Sequence, residues 1–425
     1  MTAADDNLLA DLDEKVGWAN LNHAYGAADD VPGRLRALCG DDEQAQQEAF
    51  RGLFDHLAHQ GVRCQASPHV VPFLARIALG GPRSARELAL RLLTGLAVNG
   101  DEEREIIDGA DIAAWRAEAA ENSSDKLLAL YEEALATEQD EQRRRDLQGT
   151  RDWLAAGNPI DLRDSSMRSY DAVLAELPAL LTLLDDDNPQ IRTRTSYLLA
   201  WFPDLADTSL PLLLDRAAHE HDAVAKATSL VAVGILGTTA LAGTLAAELD
   251  AENSLVRWAA ATAIAQTARN ADAELDARLL DRAIAELAAA GAAPTPVPAT
   301  DYNQGDFHGH TADTLLALPP SPASRAAVAA CLPSIDPSDR AFLANAVLPD
   351  LFPSPLPEPR PPYERLPRPQ QQLLHALADL GEGWWNTAGD IGENLATYGL
   401  PVTQAGLRTY IGLPLAGYGC RPPRI

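Results

Sequence analysis

Lysine is nearly absent from this chain. Of 34 basic residues only Lys15, Lys126 and Lys226 are lysine, against 61 acidic residues, for a formal net charge of −27. A surface this acidic repels phosphate backbones and anionic headgroups, so nonspecific nucleic-acid binding and docking on an anionic membrane are disfavoured. Cysteine is scarce too: Cys39, Cys64, Cys331 and Cys420 are scattered, with no CxxC pair. That excludes a disulfide scaffold or a zinc ribbon and fits reduced thiols in a cytoplasm. Aromatic residues make up 5%, and no run alternates β-branched with polar residues, so little sheet is expected. The first residues lack a basic region followed by an apolar run, so no secretory signal is expected. The longest stretch without charge, 227–247, holds Gly234, Gly237, Gly243 and five Ser or Thr residues. It is too weakly apolar to span a membrane and breaks into two helices at Gly237.

What the chain does have is alanine and leucine, within a hydrophobic fraction of 46%. Both are strong helix formers, so the composition favours helix packed on helix. Three stretches, 188–201, 221–234 and 253–266, share one pattern anchored on Ile191, Val224 and Val256, at steps of 33 and 32 residues. A period in this range marks stacked helical units, each burying its apolar face against the next. The expected fold is all-α: an α-solenoid of helical repeats closed by a C-terminal helical cap.

The same reasoning divides the chain. Residues 1–100 form N-terminal helical hairpins. In them Asp30 caps a helix from Val31 with Pro32 in its first turn, Asp42 opens a helix over 43–59, and Ser67 with Pro68 caps the next. Ala45, Ala49, Leu53 and Leu57 make one stripe of the second helix. A further helix spans 84–98. Residues 101–164 are a charged helical excursion, 165–290 the regular repeats, and 291–352 a loop followed by two or three irregular helices. The segment 353–369 has eight prolines in seventeen positions, a stiff linker. Residues 370–425, with Trp384 and Trp385, supply the cap.

At about 100° per residue, Ile191, Thr195, Leu198 and Phe202 share a buried stripe. Thr193, Tyr197 and Trp201 fall on the opposite side. The aligned positions are Lys226 and Trp258, Leu230 and Thr262, and Gly234 and Gln266. Asn188, Ile191, Arg192 and an Ala-rich turn, with Asn253, Val256 and Arg257, resemble the second helix of a HEAT repeat. Val224 and Ala225 depart from the pattern. Trp18, His23, Tyr25, Gly26, Asp30 and Pro32, with Leu199, Trp201 and Pro203, look like a group of actinobacterial HEAT-like repeat proteins without an assigned activity. The resemblance implies that the second helices line a concave wall. Thr193, Tyr197, Trp201, Lys226, Trp258, Thr262 and Gln266 are then the candidate contact row. The competing reading packs Trp201 and Trp258 against a neighbouring repeat or the C-terminal segment. Arg192 and Arg257 are expected to pair with Asp or Glu in a ladder between repeats.

Chemistry-bearing clusters are few. His56, His59, Cys64 and His69 are the densest set of soft ligands, but ordinary polar residues at a helix end explain them, and no metal or cofactor is expected. His221 and Asp222 read as a helix cap. Asp301, Asp306, His308 and His310, with Asp313, form a loop rich in titratable groups that suits a general acid–base pair, or simply a solvated turn. The expected function is a scaffold binding a protein or peptide partner on the concave wall. The alternative is an enzyme on the same scaffold, with DNA-glycosylase-like or specialised-metabolite chemistry. Its aromatic row fits, and its net charge opposes it.

Overall fold

The computed structural model describes residues 8–100, 102–103, 111–121, 123–156, 163–269, 275–381, 383, 385 and 391–414. Trp384 and Cys420 lie outside the described residues. The architecture is all-helical, and the sheet among the described residues is a two-residue hairpin, β1 (Asn22–His23) against β2 (Gly26–Ala27). No described helix is long and apolar enough to cross a membrane. The chain divides into two compact units, Met1–Gly237 and Thr238–Ile425.

The first unit carries α1 (Leu12–Lys15), α2 (Val31–Leu38), α3 (Glu43–Leu57), α4 (Ser67–Gly80) and α5 (Arg83–Ala97). After them come α6 (Ile112–Glu121), α7 (Ser124–Thr137), α8 (Glu141–Ala155) and α9 (Arg163–Leu180). The unit ends with α10 (Pro189–Leu199), α11 (Ala206–His219) and α12 (Ala223–Leu236). Asp42 caps α3 by accepting from the amides of Gln44 and Ala45; of the expected stripe Ala49, Leu53 and Leu57 are buried, while Ala45, at the first turn, is half-buried. Asp222 likewise caps α12. Two expected caps are used otherwise. Asp30 accepts no amide of α2. The Ser67 hydroxyl accepts from Cys64 N and donates to the Leu57 carbonyl. Helix α9 lies on α4, α5 and α6, where Tyr170 stacks on Phe202 at 4.5 Å and donates to the Trp201 carbonyl. Helix α10 packs on α5 and α12. The α10–α12 seam is closed by Ser196 and Ser229, whose hydroxyls meet at 2.9 Å; small side chains let two helices approach this closely. The charged hairpin of α7 and α8 stays mostly in solvent, leaving Leu130 and Trp153 exposed.

The second unit begins with the short α13 (Ala242–Ala246), followed by α14 (Ser254–Arg269), α15 (Ala277–Gly291), α16 (Phe307–Leu316), α17 (Pro322–Cys331) and α18 (Pro337–Leu351). Helices α19 (Arg368–Ala378), α20 (Ile391–Thr397) and α21 (Gln404–Tyr410) complete it. Helix α15 is packed on α14, α16 and α17, and α19 on α17, α18 and α21. The proline-rich strand is anchored rather than loose: Leu356 N donates to the Tyr398 carbonyl, and the Tyr410 hydroxyl donates to the Pro361 carbonyl at 2.8 Å.

Candidate functional site

Among the described residues, a close group of titratable side chains lies near the start of the first unit, where the β-hairpin meets the C-terminal end of α3. Ala24 and Tyr25 form the turn, and Gly26, which opens β2 opposite His23, holds a φ of 130° that a side chain would resist. Ala24 N donates to the His56 carbonyl and Ala66 N to the Asn22 carbonyl, which fixes the hairpin against α3 and α4. His23 and Tyr25 therefore face the last turn of α3, while Asp30 approaches from the start of α2.

Two carboxylates organise the cluster. Asp30 Oδ1 sits 3.0 Å from His23 Nε2, and Oδ2 sits 3.2 Å from His56 Nδ1 and accepts from Arg34 Nε at 2.7 Å. Burial alone would raise the Asp30 pKa, but the Arg34 hydrogen bond and the adjacent imidazoles outweigh it and hold the carboxyl below the usual range. Asp55 accepts from the Tyr25 hydroxyl at 3.0 Å and from His59 Nδ1 at 3.1 Å, and these bonds hold its pKa low. The same bond raises the Tyr25 pKa. The tautomer of His23 is fixed by geometry: the Tyr25 amide donates to Nδ1 at 3.0 Å, so Nε2 carries the proton and donates it to Asp30. Burial, then the charge of Arg34, pushes His56 down, towards its neutral form. The rings lie close, with His23 and His56 at 4.4 Å and Tyr25 at 5.0 Å from His56. His23 is 5% exposed and Tyr25 58%, so the cluster is buried on one side and open on the other.

Of the four soft ligands in the sequence, only His56 belongs to the tight group. His59 is turned to Asp55, the Cys64 thiol faces Ser67 and the His56 carbonyl, and His69 is exposed. His23 was visible only as part of a resemblance, and Asp30 as that and as a helix cap, because no local spacing ties either to His56. Folding alone brings the three segments together.

The outward row expected from the helical phase is turned inward. Thr193 is 3% exposed and Trp258 1%, and Tyr197, Trp201, Thr262 and Gln266 are buried as well. Among these positions only Lys226 is half-buried. The opposite stripe, Ile191, Thr195, Leu198 and Phe202, is buried as expected. The period located one face correctly, but α10 and α14 are covered on more than one side. Thr193 returns its hydroxyl to the Pro189 carbonyl, and Tyr197 meets Trp201 edge-on at 5.4 Å.

In the second unit the 301–313 segment folds over Trp258. Trp258 Nε1 donates to Thr311 Oγ1 at 2.9 Å, and its ring lies 4.6 Å from Phe307 and 5.5 Å from His310. The segment is not a solvated loop. His308 and His310 are buried on α16. His308 Nε2 donates to the Ala293 carbonyl, and Nδ1 accepts from Thr295. Asp306 caps α16 by accepting from Gly309 N, and burial raises its pKa. The half-buried Asp301 accepts the Gly305 amide on its backbone carbonyl. Asn303 and Gln304, at φ 52° and 56°, hold a left-handed turn between them. A cavity of about 190 Å³ opens beside this cluster, lined by Ser254, Arg257, Glu286, Ala290, Pro296 and Phe307.

No family model matches the chain, and no curated protein matches it. Among solved structures it is similar to the crystal structure of an engineered protein, with 14% identity, coverage of 90% of this chain and 97% of that one, and a TM-score of 0.28. So low a score carries no argument about fold or function.

Proposed function

We propose that this chain is a HEAT-like helical-repeat scaffold that binds a protein or peptide partner. The observation that carries the reading is an arginine stitch with the same parts in both units. Arg192 lies four residues after the capping Asn188, and Arg257 four after Asn253. Each sends Nη1 to the carbonyl six residues earlier, Asp186 and Ala251. Each pairs through Nε with a glutamate on or at the end of the next long helix, Glu220 after α11 and Glu286 on α15. A bond from the second helix of one hairpin to the first helix of the next is what stacking of like units requires. It also answers the ladder expected from the sequence.

The charge of −27 points to a partner with a basic contact surface, since long-range attraction speeds and orients such encounters. Buried Trp201 and Trp258 are unsuited as probes of that contact; their truncation reports on folding. The test is cross-linking in the native cell at low salt, then reconstitution from purified components. The expected result is a stoichiometric complex that weakens as ionic strength rises. A chain that remains alone in reconstitution, or a complex indifferent to salt, sinks the proposal.

A further inference from the structure

We propose that His23, Asp30 and His56 form a binding site for a divalent transition metal such as zinc, with its remaining positions open on the Tyr25 side. The donor atoms of these three residues all lie within 4.8 Å of one another, one on the β-hairpin, one before α2 and one on α3. Two imidazole nitrogens and a carboxylate suit zinc and the neighbouring first-row ions, which are held at about 2.0–2.2 Å. Donors around such an ion stand roughly 3.4 Å apart in tetrahedral geometry. The observed separations are 3.0 Å from Asp30 Oδ1 to His23 Nε2 and 3.2 Å from Oδ2 to His56 Nδ1, so binding an ion requires the carboxylate to turn one oxygen between the two rings as the site expands.

A second observation points the same way. His56 Nδ1 is buried and near Asp30 Oδ2, yet no hydrogen bond forms at that nitrogen. A buried lone pair left without a donor is costly, and a cation between the three groups would satisfy it. Arg34 does not occupy that place. Its Nε holds Oδ2, and its guanidinium lies across Gly52 of α3, where an added Cβ would collide with it. It orients the carboxylate and leaves Oδ1 towards His23, as hydrogen-bonded outer partners of metal ligands do.

The site carries its own signature. His23 Nε2 holds a proton because Nδ1 accepts the Tyr25 amide. A metal on Nε2 requires the other tautomer, with the proton moved to Nδ1. The Tyr25 amide must then turn from the ring. Metal loading is thereby coupled to Tyr25, whose hydroxyl bridges Asp55 and His59.

The test is titration of the full chain, stripped with a chelator, with Co²⁺. One equivalent should bind with visible ligand-field bands, and the Tyr25 amide and His23 ring signals should shift together in NMR spectra. His56→Ala and Asp30→Asn should weaken binding by roughly 100-fold or more, and Arg34→Gln by about 10–100-fold. His69→Ala, on an exposed residue elsewhere on α4, should bind as the unaltered chain does. Thermal melts followed by circular dichroism show which variants fold. Should the unaltered chain give no bands, the proposal falls whatever the variants do. Uptake that survives in a folded His56→Ala, or binding with no movement of the Tyr25 amide, also overturns it.

Discussion

Arg192 grips Glu220 with both arms of its guanidinium: Nε donates to Oε2 at 2.6 Å and Nη2 to Oε1 at 2.7 Å. The glutamate side chain is 2% exposed; Oε1 also accepts the amides of His221 and Asp222, and Arg216 Nε lies farther off, 3.5 Å from Oε2. One carboxylate thus ties α10 to α11 and shapes the turn into α12. The counterpart, Arg257 with Glu286, joins through a single bond at 2.9 Å, with both side chains a quarter or more exposed.

The two stitches should therefore differ in strength. Removing one partner of a buried pair strands the other, at about 3–5 kcal/mol, whereas exposed pairs contribute roughly 0–1 kcal/mol. Arg192→Met is expected to lower stability by about 3 kcal/mol and Arg257→Met by about 1 kcal/mol. Urea denaturation of both variants measures this. Equal losses would mean that the bidentate geometry contributes nothing special.

The same pair sets a pH dependence. Burial works to raise the Glu220 pKa, but the Arg192 bonds and the two amides outweigh it and bring it to about 2, from 4.5. A carboxyl whose folded pKa is depressed binds more protons when unfolded. Its stabilisation is full above the unfolded value and is lost as pH falls from about 4.5 towards 2. The depression corresponds to roughly 3 kcal/mol. Melting curves between those pH values should show a steeper acid loss in the parent chain than in Glu220→Gln, whose stability is lower but flatter.

The middle of the three similar sequence stretches, 221–234, lacks the stitch, and the reason is local. At the position equivalent to Arg192 and Arg257 stands Ala225, which is 1% exposed and receives the Ser229 hydroxyl on its carbonyl. Restoring the pattern with Ala225→Arg should not strengthen the protein. It should force a charge and a long side chain into packed space and cost more than about 3 kcal/mol. A rise in Tm for Ala225→Arg would show that an acidic partner is within reach.

How much of this was legible follows from what periodicity measures. It located the Ala49, Leu53 and Leu57 stripe and the paired arginines, because those depend on spacing within one helix or between successive units. It misjudged Thr193 and left Trp258 between a contact row and packing against a neighbouring unit, of which the structure shows the packing, because a period names the direction of one buried face and says nothing about cover on the other. Asp30 shows a second limit. By position it is a helix cap, but two histidines and Arg34 compete for its carboxylate, and His56 comes from a different helix. Such competition is decided by tertiary approach, which no local pattern encodes.

Trp258 gives the sharpest contrast between the row expected on a surface and the cluster found in a core. Its ring is 1% exposed, faces Phe307 and His310, and donates Nε1 to Thr311 Oγ1. Thr311 in turn donates to the Phe307 carbonyl at 2.7 Å, so the indole bond is one link of a chain that seats α16 on α14. Trp258→Ala should cost about 3–5 kcal/mol by opening a cavity that the helices cannot fully close. Thr311→Val keeps the shape and strands the indole N–H, at about 1–3 kcal/mol. Denaturation monitored by near-UV circular dichroism, together with amide exchange across 302–316, should show both losses, with exchange fastest in Trp258→Ala. A Trp258→Ala chain as stable as the parent would return this side chain to the surface role that its helical phase first implied.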